Sequence, residues 1–152
     1  MSRIDWSDDS GQVGGIEVLP FSVLIFVVGL LLVCQAWAVI DTKLAVVSAT
    51  REAARTFVES PDAATATTAS RRAARDAIAG HGRDPDKLVI DAPDYHGGSF
   101  RRCNLVTIRA SYAVPAISLP IIGTHGETFH VSSSHTEIID PYRSGLRIGG
   151  SC

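Results

Sequence analysis

The residues of this 152-residue chain that could do chemistry are its five histidines, its three cysteines and the serines and aspartates around them. Their spacing argues against most of that chemistry. His130 and His135 stand five apart in a strand-like stretch, which puts them on opposite faces. His81, His96 and His125 each sit beside a glycine in turn-like sequence. There is no HExxH pair and no cysteine–histidine cluster, so no metal site is expected. No GxxxxGK[ST] loop, no GxGxxG after a strand and no GxSxG nucleophile elbow is present. Gly97-Gly98-Ser99-Phe100-Arg101-Arg102-Cys103 has glycines and arginines but reads as a turn. Asp91 and Asp94 straddle Pro93 and read as solvated turn carboxylates. The expectation is a non-enzyme with no cofactor and no small-molecule substrate. The net charge of −2 and a pI near 6.2 predict no general affinity for nucleic acid, although the arginines between Arg51 and Arg102 could form a local patch.

One charged residue is out of place. Glu17, in Gly14-Gly15-Ile16-Glu17-Val18-Leu19-Pro20-Phe21, stands at the entry to a run with no charge, Val18–Ile40. At about 1.5 Å per residue that run spans roughly 34 Å, enough for a hydrocarbon core of about 30 Å. A carboxylate in lipid costs a few kcal/mol, so it is either functional or reaches the interface. Two readings of Glu17 stand. A negative charge at a helix N-terminus complements the dipole by roughly 0.3–1 kcal/mol, and that with snorkelling accounts for it without any function. Alternatively it is a polar point for assembling helices.

The elements that carry these residues follow from the same pattern. Residues 1–15 form a polar, acidic leader that reads as disordered. Val18–Ile40 reads as a transmembrane helix, with Pro20 tolerated in the first turn and Trp37 as an interfacial anchor. Gln35-Ala36-Trp37-Ala38 resembles a signal-peptidase site, but the apolar run exceeds the usual h-region of about 7–15 residues and the preceding segment is acidic. Val33 before Cys34 argues against a lipoprotein. Beyond Asp41 the apolar positions Leu44, Val47, Ala54, Phe57 and Val58 keep helical spacing, so one helix is expected over 16–59, lipid-facing and then amphipathic. Ser60 and Pro61 suit the cap and first position of a second helix, about 61–79. Its small face would be Ala66, Ala69, Ala73 and Ala77, packed back on residues 44–58.

From His81 onward the pattern is strand-like. Residues 87–92 and 103–114 read as strands, the second with Val106, Ile108, Ala110, Tyr112 and Val114 on one face. Residues 127–139 read as a third, with Phe129 and Val131 inward and a break near 133–135. The fold class is therefore α+β: a long transmembrane helix, then a domain over 60–152 with a second helix and a three- to four-stranded antiparallel sheet. Residues 115–126 make a poor strand because of two prolines, yet carry Ile117, Leu119, Ile121 and Ile122. That segment is either a loop over the core edge or a contact patch for a neighbouring subunit or lipid.

Orientation is contested within the sequence. Lys43, Arg51 and Arg55 after the span outnumber Arg3 and the amino terminus before it, which keeps the C-terminal side in the cytoplasm. Cys103 and Cys152 point the other way if they form a disulfide, which needs an oxidising compartment. Two unrelated free thiols are the alternative.

The glycine-containing leader, Glu17, the apolar run and then Ala49-Thr50-Arg51-Glu52-Ala53-Ala54-Arg55 together resemble the TadE-like proteins of tight-adherence (Tad) pilus systems. The ending Ile139-Asp140-Pro141-Tyr142-Arg143-Ser144-Gly145 is similar to actinobacterial members. The resemblance implies a pilin-like fold, an N-terminus in the cytoplasm, the C-terminal domain outside, and location in the cytoplasmic membrane or the pilus. It implies partners among other pilin-like subunits and membrane pilus-assembly proteins, besides membrane lipid. Glu17 would match the glutamate that pairs with a neighbouring subunit or guides insertion, and Arg51, Glu52 and Arg55 the family's charged motif. Leader cleavage would follow Gly11, which places Glu17 sixth rather than the usual fifth; the acidic leader is a second departure. The expected function is a single-pass minor pilin or pilus-assembly protein. A bitopic binding or sensor module of the cell envelope, unrelated to pili, is the alternative.

Overall fold

The computed structural model describes residues 15–114, 118–119, 123–124, 129–150 and 152. The architecture is α+β, and the chain divides into two compact units, Met1–Ala38 and Val39–Cys152, with the division falling inside the first helix.

Helix α1 runs Gly15–Glu59. In the first unit its side chains from Val18 to Leu32 are all exposed, large apolar ones included. The helix starts at Gly15, so Pro20 lies one turn inside it and not in the first turn. The missing proline N–H removes a single bond near an end whose first N–H groups have no partner in any case. Ser22 donates its hydroxyl to the Val18 carbonyl at 2.9 Å, which hides the one hydroxyl of the apolar run inside the helix itself.

In the second unit α1 changes character. Thr42, Ala45, Val46, Ala49, Thr50, Ala53, Ala54, Phe57 and Val58 are buried at helical spacing. Of the expected positions Ala54, Phe57 and Val58 are in this stripe and two are not. Leu44 is 61% exposed and Val47 only half-buried. Alanine and threonine fill most of this face, with Val46, Phe57 and Val58 as its larger members. Ser60 donates to the Thr56 carbonyl at 2.7 Å and Arg143 Nη1 to the Val58 carbonyl at 3.2 Å, which occupies the free carbonyls at the end of α1.

Helix α2 runs Ala63–Gly80. Its cap is Asp62, whose carboxylate accepts from the N–H groups of Ala64 (3.0 Å) and Thr65 (2.9 Å). Ser60 and Pro61 therefore precede the helix instead of opening it, because the Ser60 hydroxyl is already committed to α1. The buried face is Ala66, Ser70, Ala74 and Ile78, a strict four-residue repeat one position away from the expected Ala69, Ala73 and Ala77. The chain leaves the helix through Gly82, at φ +69°, a left-handed conformation that suits glycine.

A short 3-10 turn, Pro85–Lys87, leads into strand β1 (Leu88–Ile90). Strands β2 (Leu105–Val114) and β5 (Phe129–Ile138) pair antiparallel over their whole length, and β1 pairs with β2, giving the order β1-β2-β5. The expected break at 133–135 is absent: Ser132, Ser133 and Ser134 pair in register with Ser111, Ala110 and Arg109. Backbone hydrogen bonds carry the ladder through the serines, and Ser133 also meets Thr50 of α1, Oγ to Oγ1 at 3.1 Å. Between them lie β3 (Ser118–Leu119) and β4 (Gly123–Thr124), a separate antiparallel pair in a stretch expected to be a poor strand.

The core lies between residues 42–58 of α1, the inner faces of α2 and the inner sheet face of Leu88, Val106, Ile108, Ala110, Tyr112, Val114, Val131 and then Ile139. Phe57 is fully buried and meets the ring of Phe100 edge-on at 5.6 Å and that of Tyr95 at 6.1 Å. Tyr95 and Phe100 come from the Asp94–Arg102 turn, so that turn closes over the end of the α1 stripe. Burial pushes the Tyr95 phenol up. Gly98 and Gly149 both back onto the Asn104 side chain, where a Cβ would collide with it, and Asn104 in turn donates to the Ser99 carbonyl at 2.9 Å.

Candidate functional site

The feature that calls for a function is the surface of α1 itself. Val18, Leu19, Phe21, Val23, Leu24, Ile25 and Phe26 are each more than half exposed, and the same holds for Leu32, Val33 and Trp37. These residues cover every side of the helix, not one stripe. A helix apolar all round is either deeply buried or sits in lipid, and none of the most apolar window is buried. By length and composition α1 is able to span a membrane, and it is the one helix among the described residues that is.

At the start of this surface the backbone at Glu17 is helical, in the first turn of α1, which satisfies the geometric condition for a dipole contact. Its side chain lies outside the described residues, as does Gly11. At the other end, the run Ala49–Arg55 is sorted by the helix. Ala49, Thr50, Ala53 and Ala54 point into the core, while Arg51, Glu52 and Arg55 are exposed. Arg55 Nε lies 3.1 Å from Glu59 Oε1, one turn on, and this hydrogen bond lifts the guanidinium pKa further above its ordinary value. The charged members of the motif thus stay on the surface, Arg55 paired with Glu59 along the helix.

No family model, no curated protein and no solved structure matches the chain.

Within the second unit two ties join the α1 residues that follow the apolar run to the rest of the unit. Asp41 pairs with Arg83, just past the end of α2, at 2.5 Å. Lys43 Nζ donates to the Ser132 carbonyl on β5. The same lysine lines a polar cleft of about 450 Å³ with Asp91, Arg109, Ser111, Ser132 and Ser134. Arg109 lies 3.8 Å from Asp94, which also accepts from the His96 N–H at 2.9 Å. His96 Nε2 and Thr107 Oγ1 are 2.8 Å apart, and Thr107 reaches Thr136 at 2.7 Å. This network ties the Asp94–His96 turn to the outer sheet face. No sequence signal announced it, because its members come from three separate segments. Thr107 is buried, and its hydroxyl links the turn to the neighbouring strand.

Among the described residues no group of three histidine, cysteine or acidic side chains could hold a metal. Cys103 and Cys152 are joined as a disulfide, with Cα atoms 5.1 Å apart. Cys103 adopts φ +67° in the turn before β2, where its N–H donates to the Ile139 carbonyl at 3.0 Å. Cys34 is a free, exposed thiol within the apolar run. Of the expected contact patch, Ile117, Ile121 and Ile122 lie outside the described residues; Leu119 has a described backbone, in β3, but not a described side chain.

Proposed function

We propose that this chain is a single-pass, TadE-like minor pilin or pilus-assembly protein. Its apolar helix would sit in the cytoplasmic membrane, and its Val39–Cys152 unit would lie outside, acting through subunit contacts and not through chemistry of its own. The observation that carries this reading is the side-chain exposure around α1, which is apolar on every side until Ile40 and then gives way to a motif whose alanines are buried and whose charges face outward. The Cys103–Cys152 bond supports an oxidising location for the second unit. In this reading Glu17 is the register point between helices, since an unpaired carboxylate in lipid is costly and a paired one selects a partner's position.

The polar cleft around Lys43 favours a second reading, an envelope binding or sensor module anchored by the same helix. One experiment separates the two. Glu17→Ala should abolish co-purification with the other pilin-like subunits and reduce piliation in intact cells. Undiminished assembly removes Glu17 from the mechanism, and a partner set without pilus components favours the sensor reading.

A further inference from the structure

Within Val39–Cys152 strand β5 and helix α1 advance together. Ser133 meets Thr50, Ser132 accepts from Lys43, and His130 and Val131 share a cleft of about 460 Å³ with Val39, Ile40 and Leu44. Falling residue numbers along β5 therefore lead toward Ile40, the last residue of the uncharged run. The strand begins at Phe129, opposite Val114, the last residue of β2. That end of the sheet lies at the level where the apolar run stops.

Large apolar side chains are exposed there, as Val89 and Ile148 are elsewhere on this unit, but only here do they adjoin the end of the apolar run. Phe129 shares the inward parity of Val131, which is buried, yet is itself 57% exposed; Ile40 and Leu44 are 54% and 61% exposed. Both charges at this level are tied off, Asp41 on Arg83 and Lys43 on a carbonyl. Leu44 stands four residues past the run, about 6 Å along the helix, and a headgroup layer is roughly 5–7 Å deep. The dimensions match.

Resting on the membrane reading above, we propose that Ile40, Leu44 and Phe129 form a second lipid contact, seated in the interfacial zone of the phospholipid bilayer beside the span. The sheet edge would then be held on the membrane surface as well as tethered through α1. Exposed apolar side chains gain by entering this zone, which extends about 5–10 Å into the headgroup and acyl boundary.

Single-tryptophan versions of the full chain in phosphatidylcholine and phosphatidylglycerol vesicles test this. In a Trp6→Phe, Trp37→Phe background, Phe129→Trp should lose about half or more of its emission when the lipids carry bromine near the headgroup end of the acyl chains, and should resist iodide. Leu44→Trp is a second probe of the same zone, and Tyr142→Trp, at a position 93% exposed, should show the opposite pattern. Emission from the Phe129 and Leu44 probes that iodide quenches and bromine does not overturns the proposal. So does protection from iodide that is bromine-insensitive and vanishes on dilution into excess lipid, which would assign the patch to a second copy of the chain. Native Trp37 in a Trp6→Phe protein reports the span separately. If it too ignores brominated lipid, the membrane reading falls and takes this contact with it; if it is quenched and the two probes are not, only the contact falls.

Discussion

Along α1 many of the buried side chains are small. Ala45, Ala49 and Ala53 are fully buried, while their larger neighbour Leu44 is mostly exposed. Stability should follow this sorting and not side-chain size. Ala53→Leu forces a branched side chain into a closed face and should cost about 1–3 kcal/mol. Leu44→Ala should stay within about 0.5 kcal/mol. Denaturant midpoints of the detergent-solubilised protein compare the two, and the reverse order would mean that the helix docks through another face. The sequence misleads at this scale for a definite reason. Counting large apolar residues finds Phe57 and Val58, which are buried, together with Leu44 and Val47, and passes over Ala45, Ala49 and Ala53, which add almost nothing beyond Cβ and are fully buried. The charged residues of the same stretch were legible, since Arg51, Glu52 and Arg55 cannot enter a core without partners.

At the scale of elements, α1 and strand β2 were legible, because an uncharged run and clean alternation leave few alternatives, whereas the strand order came only with the fold. The start of α2 was not. Ser60, Pro61 and Asp62 all suit a helix entry, and the choice falls on Asp62 only because Ser60 closes α1 instead. The serines of β5 looked like a weakness, yet a ladder needs backbone groups and the partner strand supplies them. Of the candidate site, the apolar surface was readable from composition, whereas the Asp94–His96–Thr107 network joins segments that only folding brings together. The Asp62 cap has a pH signature. Its carboxyl is held below the ordinary 3.8, first by the Thr65 N–H, then by the Thr65 hydroxyl and the Ala64 N–H. A lowered folded-state pKa means the contribution is complete above the unfolded value and is lost as pH falls through the folded one. Far-UV circular dichroism should therefore show α2 fraying below about pH 4, and Asp62→Asn, which caps without a charge, should flatten that part of the titration. An identical acid profile in both proteins would remove Asp62 from the effect.

At the scale of the whole molecule, the Cys103–Cys152 bond, with a sequence separation of 49, restrains the last segment of the chain. Closing a loop of that length in the unfolded state is worth about 4 kcal/mol by chain entropy. Cys103→Ser should lower stability by up to that amount, reductant should do the same to the wild type, and reductant should have no further effect on the variant. A midpoint unmoved by reductant would show that the bond does not contribute. The order of the elements has a consequence for biosynthesis. The alanine stripe of α1 begins at Thr42, but the strand that completes its cover ends at Ile138, about a hundred residues later. At roughly 5–20 residues per second, the ribosome delivers that cover on the order of 5–20 s after the stripe. Until then α2, β1 and β2 can cover the stripe only in part, so the nascent unit keeps some of its apolar face open to a chaperone or to the translocation machinery.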